Sequence, residues 1–334
     1  MTQVVNGLFV GMLFASLALW TQFLRGRLPT LSAVRQCEPQ TVARWSLFDL
    51  IVVLVFVFFP QMLAQGWALR ELPIEAFEAF ESPRPAEVAA QTGDASGTRP
   101  PARDKSPELT LAQRAPGAFV SLLWLRSAAL LAGTGLGIAW VWSRHRDPLA
   151  LGGDWSRWRS DVWLGMVGFL MVAPPVLLMQ FALTQFFPSK HPLIELVLAK
   201  PEARFLWASG VAAVLVAPLT EEFQFRVLIQ GWLQTAARPG MPSESWLVGL
   251  ATPEWERQSA GPPRHWPAIA TAALFALAHA NHGPDPIPLF FFAWGIGWLY
   301  RGTSRVLPGV VVHFLLNLWT LFLLLVKIYG SSLT

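Results

Sequence analysis

Long apolar runs separated by short polar breaks dominate the chain. About 20 apolar residues in a helix cross the hydrocarbon core of a bilayer. Runs of that kind lie near 4–24, 47–69, 118–142, 162–187, 204–220, 267–281, 287–300 and 306–327. The pattern predicts an all-α, polytopic transmembrane helix bundle of about eight spans. The polar breaks divide it into two amino-terminal transmembrane helices over 1–70, a loop over 71–117, further transmembrane helices over 118–199, and a last block over 200–330. The loop is rich in Pro, Ala, Gly and Ser and is expected to be flexible and extracytoplasmic, with a short interfacial helix at "LPIEAFEAFE". No positive region precedes the first run and no convincing small-residue cleavage site follows it, so it is expected to stay as an anchor. Pro174 and Pro175 are expected to kink the fourth span.

Composition sharpens this picture. Of 334 residues, 53% are hydrophobic and only 14% charged, with 17 Trp, against roughly 25% charged in a soluble domain. Cys37 is the single cysteine, so no internal disulfide framework exists. The net charge of +4 does not point to nucleic acid, because the basic residues cluster beside apolar segments. Arg25, Arg27, Arg35 and Arg44 follow the first span, and Arg144, Arg146, Arg157 and Arg159 follow the third. Those loops are expected on the cytoplasmic side. By parity the polar stretch 238–264 is also inside and both termini are outside.

Against this apolar background a few polar residues stand out. "LTEEFQFRVL" extends an apolar helix with Glu221, Glu222 and Arg226. Ionisable side chains inside a membrane are costly and mark functional sites by default. Glu222 and Arg226, at i and i+4, share a face and suit an ion pair, while Glu221 is rotated by about 100° and is free to face a cavity. In "ALFALAHANH", Phe275 and His279 share a face; in "GVVVHFLLNLW", so do His313 and Asn317. A structural ion pair or a packing histidine explains each segment alone, but three apolar helices offering Glu, His, His and Asn to one interior favour a site. A desolvated carboxylate beside a histidine activates water as a general base. A His and an Asn side by side can donate hydrogen bonds to the oxyanion of a tetrahedral intermediate. The sum is hydrolysis of a peptide bond without a covalent nucleophile, and no G-x-S-x-G elbow is present.

These segments resemble the three motifs of the CAAX-protease and bacteriocin-processing superfamily, the intramembrane glutamic endopeptidases related to the type 2 CAAX prenyl endopeptidase. E-E-x-x-x-R is matched by Glu221, Glu222 and Arg226, F-x-x-x-H by Phe275 and His279, and H-x-x-x-N by His313 and Asn317. The resemblance spans about 200–330. It implies a bundle with a catalytic cavity open to the cytoplasm, in which Glu221 and His279 activate water and His313 and Asn317 stabilise the oxyanion. Glu222, Arg226 and Phe275 would support them. It further implies a peptide or protein substrate arriving from the membrane or the cytoplasmic side, and no cofactor. The apolar spans and the clustered basic residues imply contact with the lipid bilayer but not with nucleic acid, and the richness in Ala, Arg, Pro and Trp points to a bacterial source and so to a bacterial inner membrane.

Two other readings share these residues. Glu221, His279 and His313, with His282 and Asp285 nearby, are a possible zinc set, although H-E-x-x-H is absent. A non-catalytic scaffold or immunity protein would keep the cavity to bind a partner peptide, and a proton-relaying transporter is a third alternative, without support from any internal repeat.

Overall fold

The computed structural model describes residues 2–37, 45–71, 116–146, 151–187, 202–249, 263–280 and 283–330. Among these residues there is no strand, and the architecture is an all-α helical membrane bundle. Eight helices account for the eight expected segments: α1 (Thr2–Leu24), α2 (Leu47–Glu71), α3 (Pro116–His145), α4 (Trp158–Thr184), α5 (Ala203–Ala236), α6 (Trp266–Ala278), α7 (Pro286–Thr303) and α8 (Leu307–Tyr329). Six of them, all but α6 and α7, are long and apolar enough to cross a membrane. The expected loop falls almost wholly outside the described residues, as does its interfacial helix.

Two packed groups build the bundle. In the first, α2 lies along α3, and Gly133 lets the helices touch, because a Cβ there would overlap the backbone of Phe56 and Val57. Buried Asp49 pins their ends, accepting from Trp140 Nε1 at 2.9 Å and pairing with Arg144 Nε at 2.8 Å. In the second, α4 packs on α8, α7 and α1, and α7 packs on α6. Gly165 and Gly168 admit Val311, Val312 and Leu299 to within close contact of α4. Helix α4 continues through Pro174 and Pro175 to Thr184.

Helix α5 joins the groups and departs most from the sequence expectation. It runs for 34 residues, continuing beyond the apolar run that ends near 220 as the extension through Glu221, Glu222 and Arg226 predicts, but it winds as a π-helix at Val211–Val216 and again at Phe223–Gln230. π-turns inside α-helices are rare and concentrate at functional sites. The first has a local cause. In the wider register the Ala217 N–H bonds to the Ala212 carbonyl. The next donor in that register would come from Pro218, which has no N–H, and so the Ala213 carbonyl is left for another group. In the second stretch, Trp45 Nε1 donates to the Leu228 carbonyl at 3.0 Å and ties the first packed group to α5.

Candidate active site

Glu221 and Glu222 lie on α5 between its two π stretches. They differ sharply in surroundings. The Glu222 side chain is fully buried, whereas that of Glu221 is 25% exposed. Glu222 spends both oxygens on fixed partners: Arg226 Nε donates to Oε2 at 3.0 Å and His313 Nδ1 lies 2.9 Å from Oε1. The expected i, i+4 pair of Glu222 and Arg226 is therefore present. A carboxylate with two charge-assisted bonds is held in one orientation.

Arg226 is itself buried, with its guanidinium 5.9 Å from the centre of the Phe275 ring. Nη1 and Nη2 have no hydrogen-bond partner among the described residues. Stacking on the aromatic face supplies part of what they lack.

His313, on α8, stands between the two glutamates. Its Nε2 is 3.9 Å from Glu221 Oε2, while Nδ1 meets Glu222. A distance of 3.9 Å is outside direct hydrogen-bond range, so the two are neighbours with open bonding capacity. Phe275 and Phe292 wall the imidazole edge-on, with ring centres at 6.0 and 5.2 Å. The close approach of α8 to α5 depends on Gly309, one turn before His313. A Cβ at Gly309 would stand 3.1 Å from Glu222 Oε2 and 2.7 Å from Ile296.

His279 belongs to the end of α6, not to its interior. The expected span ran to 281, but the helix stops at Ala278 and His279 caps it at φ −107°, ψ 14°. The turn that follows contains Gly283 at φ +74° and then Pro284, a sequence that cannot prolong a helix. The shared face with Phe275 survives: His279 Nδ1 donates to the Phe275 carbonyl at 2.8 Å, and the rings are 4.7 Å apart. Because a carbonyl only accepts, Nδ1 carries the hydrogen and a neutral His279 keeps its lone pair on Nε2.

Asn317 follows His313 by one turn on α8. Its Nδ2 donates at 2.7 Å to the Ala213 carbonyl, the group that Pro218 leaves over. One amide hydrogen remains for other work.

Three of the surrounding contributors escaped the sequence reading. Gly309 and Phe292 carry no chemistry, though Gly309, His313 and Asn317 recur every fourth residue and so mark one face of α8. The Ala213 carbonyl is a backbone group that only the π register exposes. Of the wider zinc set, Asp285 accepts from Gln180 Nε2 at 2.6 Å, and His282 is outside the described residues. Among the described residues no group of three or more His, Cys, Asp or Glu is arranged to hold a metal ion.

The fold and site define an integral, multi-pass membrane protein with carboxylates and imidazoles gathered inside its carboxyl-terminal helices. Residues 203–319 match the family model described as type II CAAX prenyl endopeptidase Rce1-like. That match bears out the resemblance read from the motifs and takes in all seven motif positions. At the family level this similarity supports a CAAX-type protease of the membrane. Neither the curated proteins nor the solved structures gave a match.

Proposed function

We propose that this protein is an intramembrane glutamic endopeptidase that hydrolyses a peptide bond of a membrane-associated peptide or protein. One observation carries the reading: Glu221, the partly exposed member of the glutamate pair, faces His313 Nε2 at 3.9 Å while Glu222 and Arg226 are committed to each other. Glu221 is thus the carboxylate with bonding capacity to spare.

In this reading Glu221 takes a proton from water, with the Nε2 lone pair of His279 sharing the load, and the hydroxide attacks the scissile carbonyl. The carbonyl oxygen becomes an oxyanion. In its imidazolium form His313 has a donor on each ring nitrogen: Nδ1–H meets Glu222, and Nε2–H turns to the oxyanion beside the free amide hydrogen of Asn317. Collapse of the tetrahedral intermediate returns the proton to the leaving amine. Glu222 and Arg226 hold His313, and Phe275 holds His279 and wedges against His313. Residues 200–330 form the catalytic core, and 1–70 and 118–199 its membrane scaffold. The arginine clusters support an opening toward the cytoplasm, and the composition supports a bacterial inner membrane.

Membranes containing the protein, compared with membranes lacking it, test the reading by mass spectrometry of new peptide ends. New ends that persist in chelator-treated membranes are expected. Identical peptide populations in the two membranes would remove the endopeptidase and leave a non-catalytic binding role.

A further inference from the structure

A cavity of about 300 Å³ opens where the chain leaves α1, lined by Gly26, Arg27, Leu28, Pro29, Ser32 and Arg35. The backbone there is shaped by a glycine. Gly26, at φ +69°, ends α1, its N–H bonding to the Phe23 carbonyl at 3.0 Å and that of Arg27 to the Gln22 carbonyl at 2.8 Å. This is a Schellman stop, which requires a left-handed residue just past the helix.

Arg35 then folds back on the helix end. Its Nη1 donates to the Phe23 carbonyl at 3.2 Å, and its guanidinium lies 5.1 Å above the Phe23 ring. Phe23 in turn packs edge-to-face on Trp298 of α7 at 5.6 Å. Leu31 and Val34 are buried against the bundle, with Val34 filling the space beside Gly302. The cavity wall is therefore anchored to the core, and its arginine is set in place before any ligand arrives. Ser32 is committed, donating to the Pro29 carbonyl at 2.6 Å.

Charge here is one-sided. Between 25 and 44 the sequence holds four arginines and one glutamate. Among the described residues no carboxylate pairs with Arg27 or Arg35. Both guanidiniums keep most of their donors, and they follow the end of α1, a helix long and apolar enough to cross a membrane, which is where a bilayer spanned by α1 would present its headgroups. Planar, multiply donating guanidiniums are suited to phosphate oxygens.

We propose that this cavity binds a phosphate-bearing anion at the membrane surface, gripped by Arg27 and Arg35. The site is separate from the glutamates and histidines of the candidate active site, and the inference does not depend on catalysis. The chemistry fits the headgroup phosphate of an anionic lipid and also free phosphate, and the test separates them.

The full-length protein, purified in neutral detergent and stripped of lipid, would be titrated with phosphatidylglycerol, phosphatidylcholine or inorganic phosphate and read by native mass spectrometry. Phosphatidylglycerol is expected to bind in preference to phosphatidylcholine, and R27Q to weaken it by about fivefold, the usual effect of one basic residue at an anionic surface. R27Q should melt as the wild type does without lipid, since Arg27 has no side-chain partner to lose. Arg159, exposed over the Trp158 ring at 5.3 Å, supplies the control for general charge, and R159Q should leave binding unchanged. Inorganic phosphate that binds, and binds less well to R27Q, would assign the same site to a soluble anion. Equal retention of the two lipids, unaltered binding by R27Q, or an equal loss in R159Q would overturn the proposal.

Discussion

His313 Nδ1 lies 2.9 Å from Glu222 Oε1, and this bond fixes which imidazole nitrogen faces Glu221. Losing the carboxylate charge while keeping its shape isolates that role. E222Q is expected to lower the cleavage rate by about 10²–10⁴, the range for general acid–base groups that lose their partner, with a much smaller change in KM. Steady-state kinetics on a peptide found in the membrane comparison would show this. An unchanged rate would mean that His313 needs no orientation by Glu222.

Arg226 and Glu222 form a buried pair at 3.0 Å, with side-chain exposures of 1% and 0%. R226M removes the cation and leaves Glu222 with His313 alone. Uncompensated buried charges cost about 3–5 kcal/mol, so a marked drop in Tm in detergent is predicted. The double variant R226M/E222M should recover much of the loss, because replacing both partners by apolar groups is tolerated far better than removing one. A single variant as stable as the wild type would contradict the assignment of a structural pair.

Gly309 is where α8 meets the Glu222 carboxylate. G309A would place a methyl group 2.7 Å from Ile296 and 3.1 Å from Glu222 Oε2. Overpacking of that kind costs about 1–3 kcal/mol, and because the displaced helix also carries His313, activity should fall further than stability. Thermal melting and a cleavage assay on one preparation would separate the two effects.

Pro218 and Asn317 are linked through the Ala213 carbonyl, which Pro218 leaves unbonded and Asn317 occupies at 2.7 Å. P218A would restore a backbone N–H that competes for this carbonyl. N317A should lower the rate by about 10²–10³ as an oxyanion donor is lost. If Pro218 acts through Asn317, then P218A will slow the wild type but add little to N317A, a coupling that a double-mutant cycle measures. Independent, additive effects would dissolve the link.

The ion pair of Glu222 and Arg226 and the Phe275 and His279 stack were legible in the sequence because helical periodicity puts residues four apart on one face. Among the described residues the order of the long apolar helices was legible for a similar reason, since spans announce themselves by apolar length, although six and not all eight of them are long and apolar enough to cross a membrane. Helix α6 ends earlier than its hydropathy suggests, since Ala and Leu run on to His279 while the turn at Gly283 and Pro284 decides the stop. The π stretches of α5 were not legible. Pro218 hints at a disturbed register, but which carbonyl it frees depends on the π winding before it, and the donor that takes that carbonyl comes from a neighbouring helix. The seat of His313 between two glutamates likewise depends on the approach of α8 to α5, which Gly309 permits without announcing.

The central claim is that Glu221 converts water into the nucleophile. Peptide ends generated in cells, compared between wild type and E221Q at matched membrane levels and equal Tm, test it most directly. The account predicts that the ends produced by the wild type vanish in E221Q while the protein remains folded. Persistence of those ends at more than a tenth of the wild-type yield would contradict it and move the reaction, or the function, to other residues.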